Sequence, residues 1–141
     1  MSLSVKIATP EKLVYEEQEL VSITLPTTEG EITILPGHIP LVSKIAPGEI
    51  LIKKKGKTDS FACMSGFLKL DALGNVVVLS DYAIRSSDIE LAKVEEARKR
   101  AEQRMKEKIS EEDFLLAQLE LTRTLLELKI VKKHKTPRVG I

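Results

Sequence analysis

At 141 residues and 43% hydrophobic content, the sequence has room for one domain or two small ones with a modest core. A net charge of +1 argues against a general affinity for nucleic acid or anionic lipid, and no apolar run approaches the roughly 20 residues that a membrane-crossing helix needs. Cys63 is the only cysteine, which excludes a disulfide framework or a Cys-based metal site within one chain. The charge is unevenly spread. Residues 1–82 carry 8 Lys/Arg against 10 Asp/Glu, and residues 83–141 carry 14 against 11, with Lys132-Lys133-His134-Lys135 and Arg138 forming a basic end.

The first residues, Met1-Ser2-Leu3-Ser4, open straight into a strand pattern rather than a signal peptide, so a cytosolic chain that meets a membrane only through a partner is expected. From Leu3 to about Asp81, short alternating runs are broken by turn residues. Leu3–Ile7, Val21–Leu25, Glu31–Ile34 and Glu49–Lys53 alternate, with turns at Pro10-Glu11, Thr28-Glu29-Gly30, Pro36-Gly37, Pro47-Gly48, Lys55-Gly56 and Leu73-Gly74-Asn75. This spacing predicts an antiparallel sandwich or barrel with one buried and one wet face. Ser60–Met64 reads as a strand with Cys63 as a small buried hydrophobe, and Lys53-Lys54-Lys55-Gly56-Lys57 reads as a solvated hairpin tip rather than a nucleic-acid patch.

The most constrained stretch is Gly30–Leu41. Pro36 fixes its own φ, Gly37 permits positive φ and Pro40 restricts Ile39, giving a rigid corner that bears His38. His38 and His134 lie far apart with no carboxylate cluster, no Gly-rich phosphate loop or Gly-x-Ser-x-Gly is present, and no catalytic set can be assembled.

Beyond Ala83 the period changes to that of helices. Ser87 or Asp88 is the expected cap of a first helix over Ile89–Lys108, with Val94, Ala97, Ala101 and Met105 on one stripe and Glu96–Arg100 and Glu102–Lys106 as i,i+4 pairs. Ser110-Glu111-Glu112-Asp113 resembles a capping box that starts a second helix running to about Lys133. The short link predicts an antiparallel helical hairpin. On the second helix Phe114, Ala117, Leu121, Leu125 and Leu128 form one apolar stripe and Leu115, Leu119, Leu126 and Ile130 another. The alanine-rich first helix predicts a modest grip between the two, so the pair could pack permanently or exchange partners.

Gly30-Glu31-Ile32 and Leu35-Pro36-Gly37-His38-Ile39-Pro40-Leu41, followed by Pro47-Gly48-Glu49, closely resemble the signature of the epsilon subunits of F-type ATP synthases. Thr9-Pro10-Glu11, Leu25-Pro26-Thr27, Ser65-Gly66-Phe67-Leu68 and Val78-Leu79-Ser80-Asp81 recur in that family's order, and the resemblance spans nearly the whole chain. It implies an α+β protein: a flattened β-sandwich of about ten strands over residues 1–86, then a helical hairpin with a basic tail over 87–141.

The resemblance implies a non-catalytic rotor component of the central stalk, without a cofactor. It would link the gamma subunit to the membrane c-ring during ATP synthesis driven by protons or, alternatively, sodium ions. Glu29, Glu31 and His38 match positions that meet the c-ring and gamma. The hairpin would reach the alpha/beta catalytic hexamer when extended and inhibit ATP hydrolysis, with Arg123, Lys129, Lys132 and Lys133 as candidates to meet an acidic beta-subunit loop.

Some relatives bind ATP on the folded hairpin. Here Ile89-Glu90-Leu91-Ala92-Lys93-Val94 departs from their motif. Glu90, Lys93, Arg100 and Arg123 therefore form a degraded nucleotide site beside Glu127, and weak or absent ATP binding is expected. The implied location is peripheral, on the cytoplasmic face of a bacterial plasma membrane or, alternatively, the stromal face of a thylakoid. A ligand sensor held folded by ATP and an unrelated sandwich-plus-hairpin binding module are the competing classes; nucleotide titration and co-purification with gamma separate them.

Overall fold

The structure, a computed structural model, describes residues 2–135. Arg138 lies outside the described residues. The chain divides into two compact units after Arg85.

The first unit contains ten strands: β1 (Ser4–Ala8), β2 (Leu13–Glu17), β3 (Ser22–Thr27), β4 (Gly30–Ile34), β5 (Leu41–Ile45), β6 (Gly48–Lys54), β7 (Lys57–Cys63), β8 (Gly66–Leu70), β9 (Asn75–Ser80) and β10 (Ala83–Arg85). They form one hydrogen-bonded path in the order β10-β7-β6-β3-β5-β8-β9-β1-β2, with β4 paired to β3. Alternation decides what goes inside. Ile7, Ile23, Leu25, Ile34, Ile50, Ile52, Phe61, Leu68 and Val78 belong to a single solvent-free cluster, each buried aliphatic side chain contributing roughly 1.5–3 kcal/mol before ordering costs. Cys63 is buried as expected, and burial pushes its thiol up to about 12.

One pairing departs from the antiparallel expectation. β1 runs parallel to β9, from Ser4↔Asn75 to Ala8↔Leu79, while its other edge pairs antiparallel with β2. The first strand is thus inserted between late and early parts of the chain. Alternation identifies a strand but carries no information on its neighbour.

The two ends of the sheet are fastened by side chains. Tyr15 on β2 donates its hydroxyl to Asp59 on β7 at 2.7 Å, and Lys54 bonds Glu17 at 2.8 Å while lying 3.6 Å from Asp59. The solvated-tip reading of the lysine cluster is therefore corrected at Lys54, which is largely covered and tied to two carboxylates. The turn at Gly56, with φ +76°, folds the β6–β7 hairpin so that Lys54 and Asp59 come together.

Burial pushes the Asp59 carboxyl up, but the Tyr15 hydrogen bond and the charges of Arg85, Lys57 and Lys54 outweigh it and hold the group below its ordinary value. A depressed folded-state pKa adds stability above the unfolded value, and that stability is lost as pH falls through the folded value. Asp59→Asn should therefore cost about 2 kcal/mol at pH 7 and flatten the loss of stability below about pH 4, as read by urea unfolding across pH.

The second unit begins with a 3-10 turn at Ser86–Asp88, followed by α1 (Leu91–Lys106) and α2 (Glu111–Lys135). The cap expected at Ser87 or Asp88 is corrected. The Ile89 amide bonds back to the Ser86 carbonyl, closing a separate turn, and extended Glu90 stands at the N-cap of α1 without a side-chain cap bond. Half of the capping box forms at α2, where the Ser110 hydroxyl accepts from the Asp113 amide at 3.1 Å.

Val94, Ala97 and Ala101 are buried as expected, with Met105 half-buried. Glu96–Arg100 forms at 3.1 Å, but the structure shows Glu102 bonded to Arg98 at 2.9 Å instead of to Lys106. Arg98 lies one turn earlier on the same face, and its fork suits a carboxylate better than an ammonium does. The two stripes on α2 are also redrawn. Ala117, Thr124, Leu128, Ile130 and Val131 are buried with Leu121 and Leu126 half-buried, so each stripe is covered toward its C-terminal end, whereas Phe114, Leu115, Leu116, Leu119 and Leu125 remain exposed.

Candidate functional site

The Gly30–Leu41 segment is built as a presentation corner. The Thr27 hydroxyl donates to the Gly30 carbonyl at 2.5 Å and accepts from the Glu29 amide at 3.2 Å, fixing the two-residue turn between β3 and β4. Gly30 and Gly37 both take positive φ, and the His38 amide bonds the Leu35 carbonyl to close the Pro-Gly turn. His38 Nδ1 lies 2.6 Å from the Ile39 carbonyl, which orients the ring. Glu29, Glu31 and His38 are all exposed. β4 separates them: the carboxylates stand at its start and the imidazole beyond its end, roughly 10 Å away.

A second feature escaped the sequence reading. On the outer face of β5-β8-β9-β1, register aligns Val42, Lys69, Val77 and Lys6 in one row and Lys44, Phe67, Leu79 and Ala8 in the next. Val42 is 72% exposed and Phe67 and Leu79 are each 55% exposed, although their inward neighbours Leu68 and Val78 are sealed. Phe67, Val77, Leu79 and Ala8 form a contiguous apolar surface, with Lys44 and Lys69 standing between it and Val42 and Lys6 on its far border. Beside it, a groove of about 550 Å³ is lined by Ala8, Pro10, Lys44, Phe67, Leu79 and Asp81. The signal was present in Val76-Val77-Val78-Leu79: four consecutive apolar residues do not alternate, as expected of a strand covered on both faces.

On the helical pair, Lys129, Lys132 and Lys133 are exposed and lie one turn apart on a shared side of α2. Arg123 does not join them. It lies about 120° around the helix from Lys129, half-buried, with Nε 3.4 Å from Glu127 and Nη2 3.8 Å from Glu120. Glu127 is itself buried. The degraded nucleotide set is likewise engaged within its own helices: Lys93 lies 3.1 Å from Glu90 and Arg100 3.1 Å from Glu96. Among the described residues no group of three His, Cys, Asp or Glu side chains could hold a metal ion, and no helix is long and apolar enough to cross a membrane.

The chain thus combines a sandwich with an uncovered apolar face, a rigid polar corner and a helical pair, the two-domain α+β class. The chain belongs to the ATP synthase epsilon-chain family: residues 2–86 match the ATP synthase delta/epsilon chain beta-sandwich domain and residues 87–132 its long alpha-helix domain. It is similar to the ATP synthase epsilon chain of Herpetosiphon aurantiacus, at 34% identity over 96% of this chain and 98% of that one. It is also similar to the epsilon chain of Herminiimonas arsenicoxydans, at 35% identity over 90% and 95%.

The fold recurs in solved assemblies. It matches a chain of the Euglena gracilis mitochondrial ATP synthase OSCP/F1/c-ring structure with TM-score 0.70 and 23% identity, covering 88% of this chain and 79% of that one. A chain of the Tetrahymena thermophila mitochondrial ATP synthase central stalk and c-ring matches with TM-score 0.60 and 19% identity, covering 92% and 96%.

Proposed function

We propose that this epsilon chain is a non-catalytic part of the central-stalk rotor, in which the sandwich joins the gamma subunit to the c-ring and the helical pair restrains ATP hydrolysis. The observation that carries the coupling role is the exposed Phe67 and Leu79 surface with the lysines that flank it. Desolvating it against an apolar, carboxylate-bearing surface on gamma supplies affinity, while the lysines select orientation. Glu29, Glu31 and His38 then meet the c-ring and the foot of gamma. A corner fixed by two prolines and two positive-φ glycines makes such contacts with little ordering cost. The chain lies peripheral to the membrane, at the cytoplasmic or stromal face of the complex.

The helical pair fits the regulatory role through its exposed leucines and the Lys129, Lys132 and Lys133 side, which suits an acidic beta-subunit loop. Arg123 is the less accessible candidate because Glu120 and Glu127 already neutralise it. The same logic supports weak or absent ATP binding. A phosphate approaching Lys93, Arg100 or Arg123 must displace a carboxylate from each.

The test is ATP hydrolysis by the cognate catalytic complex stripped of this subunit, after adding back the full chain or residues 1–86, whose core is complete within residues 3–83. Suppression by the full chain alone is expected. If both forms bind gamma and neither suppresses hydrolysis, the helical pair is not an inhibitor; if neither binds, the coupling role falls.

A further inference from the structure

We propose that Arg85 is a positioning residue that confines articulation of the chain to the Arg85–Ser86 junction. β10 is only three residues long, sits at the edge of the sheet and pairs with β7 alone, through Ala83↔Cys63, Ile84↔Ala62 and Arg85↔Phe61. So short an edge strand frays unless something other than its ladder holds it. The Arg85 side chain supplies that hold. Its guanidinium carbon lies 5.0 Å from the centroid of Tyr15 and 5.6 Å from that of Phe61, two rings that pack at 4.8 Å with a 56° tilt. Asp59, bonded to Tyr15, places a carboxylate charge close enough to feel the same guanidinium.

On the other side of the junction the chain is fixed by different partners. Ser86–Asp88 closes its own turn through the Ile89 amide and lies against α2. One residue is thus clamped to two aromatic rings of the sandwich, and the next belongs to the helical unit. Backbone rotation that lets the helical unit change partners is therefore concentrated at one junction instead of being spread into β10. A sharp boundary keeps such rearrangement from unzipping the sheet.

Amide exchange of the isolated full chain tests the anchor. Arg85→Ala should speed exchange of the β10 amides at least tenfold while β6 and β8 keep their protection. Arg85→Lys should restore part of it, and Tyr15→Phe, which keeps the ring, should leave β10 protected. Unchanged β10 protection in Arg85→Ala, or equal loss throughout the sandwich, overturns the inference, the latter because Arg85 would then be a general stabiliser.

The link to regulation rests on the inhibitory reading above. With the stripped catalytic complex, Arg85→Ala should reduce suppression of hydrolysis at least threefold; equal suppression with a loosened β10 overturns the regulatory role of the anchor. If the unmodified chain does not suppress hydrolysis either, the inhibitory reading fails, while the anchor stands or falls on the exchange result.

Discussion

Gly66→Ala should destabilise the sandwich by about 3 kcal/mol and lower its Tm by roughly 10–20 °C, an effect out of scale with one added methyl group. A Cβ at this position would lie 2.0 Å from the Leu79 carbonyl oxygen, 2.9 Å from its carbon and 2.8 Å from the Ser80 Cα. All three are backbone atoms, so no rotamer change relieves the clash. Gly66 also pairs with Ile45 on one side and Ser80 on the other, which means that β8 cannot move away without parting two ladders. The Ser80 hydroxyl adds to the constraint by lying within 2.9–3.2 Å of the Met64, Ser65 and Tyr82 carbonyls. Gly56→Ala is the matched control. Its Cβ meets open space, and only its positive φ penalises alanine, by about 1 kcal/mol. Thermal and urea unfolding of the two variants check the contrast; equal small losses would show that the β8–β9 approach is not as close as described.

Replacing Phe67 and Leu79 together by serine should weaken binding to gamma several-hundredfold while leaving the isolated chain about as stable as before. Each side chain is more than half exposed, so its removal takes little from the core. On association both would be fully desolvated, and losing roughly 3–4 kcal/mol of burial corresponds to a few hundredfold in Kd. Leu73→Ser is the control because Leu73, 80% exposed, lies in the β8–β9 turn away from the outward rows. Calorimetric titration with gamma distinguishes the outcomes. An affinity unchanged in the double variant removes this face from the gamma interface.

Much of this architecture is legible in the sequence because it is local. Alternation in Val21–Leu25 or Glu49–Lys53 fixes strands, and the Pro-Gly corner is dictated by backbone sterics alone. What stayed hidden depends on which groups meet over distance. Tyr15 and Asp59 are 44 residues apart and neither carries a pattern that announces the other. On α2, periodicity says that Phe114, Ala117 and Leu121 share a side but not how much of that side is covered, and burial then seals Ala117 while leaving Phe114 38% exposed. Thr124 and Glu127 reached the buried side despite being polar, with the Thr124 hydroxyl satisfied by the Leu121 carbonyl. The outer face is the instructive miss: the non-alternating Val76–Leu79 run is the pattern of a strand covered on both sides, and alternation elsewhere gives no hint of it.

The parallel pairing of β1 with β9 has a consequence in time. Ser4 finds its cross-strand partner at Asn75, so during synthesis the earliest strand waits for some seventy residues, roughly 4–14 s at ordinary elongation rates, before that edge can close. β2 can protect the other edge almost at once, but the sandwich itself cannot be completed until its last long strand has left the ribosome. The helices, whose contacts are local, face no such delay. β1 therefore emerges long before β9, and its unpaired edge is the place where a chaperone would be needed or where premature association would begin.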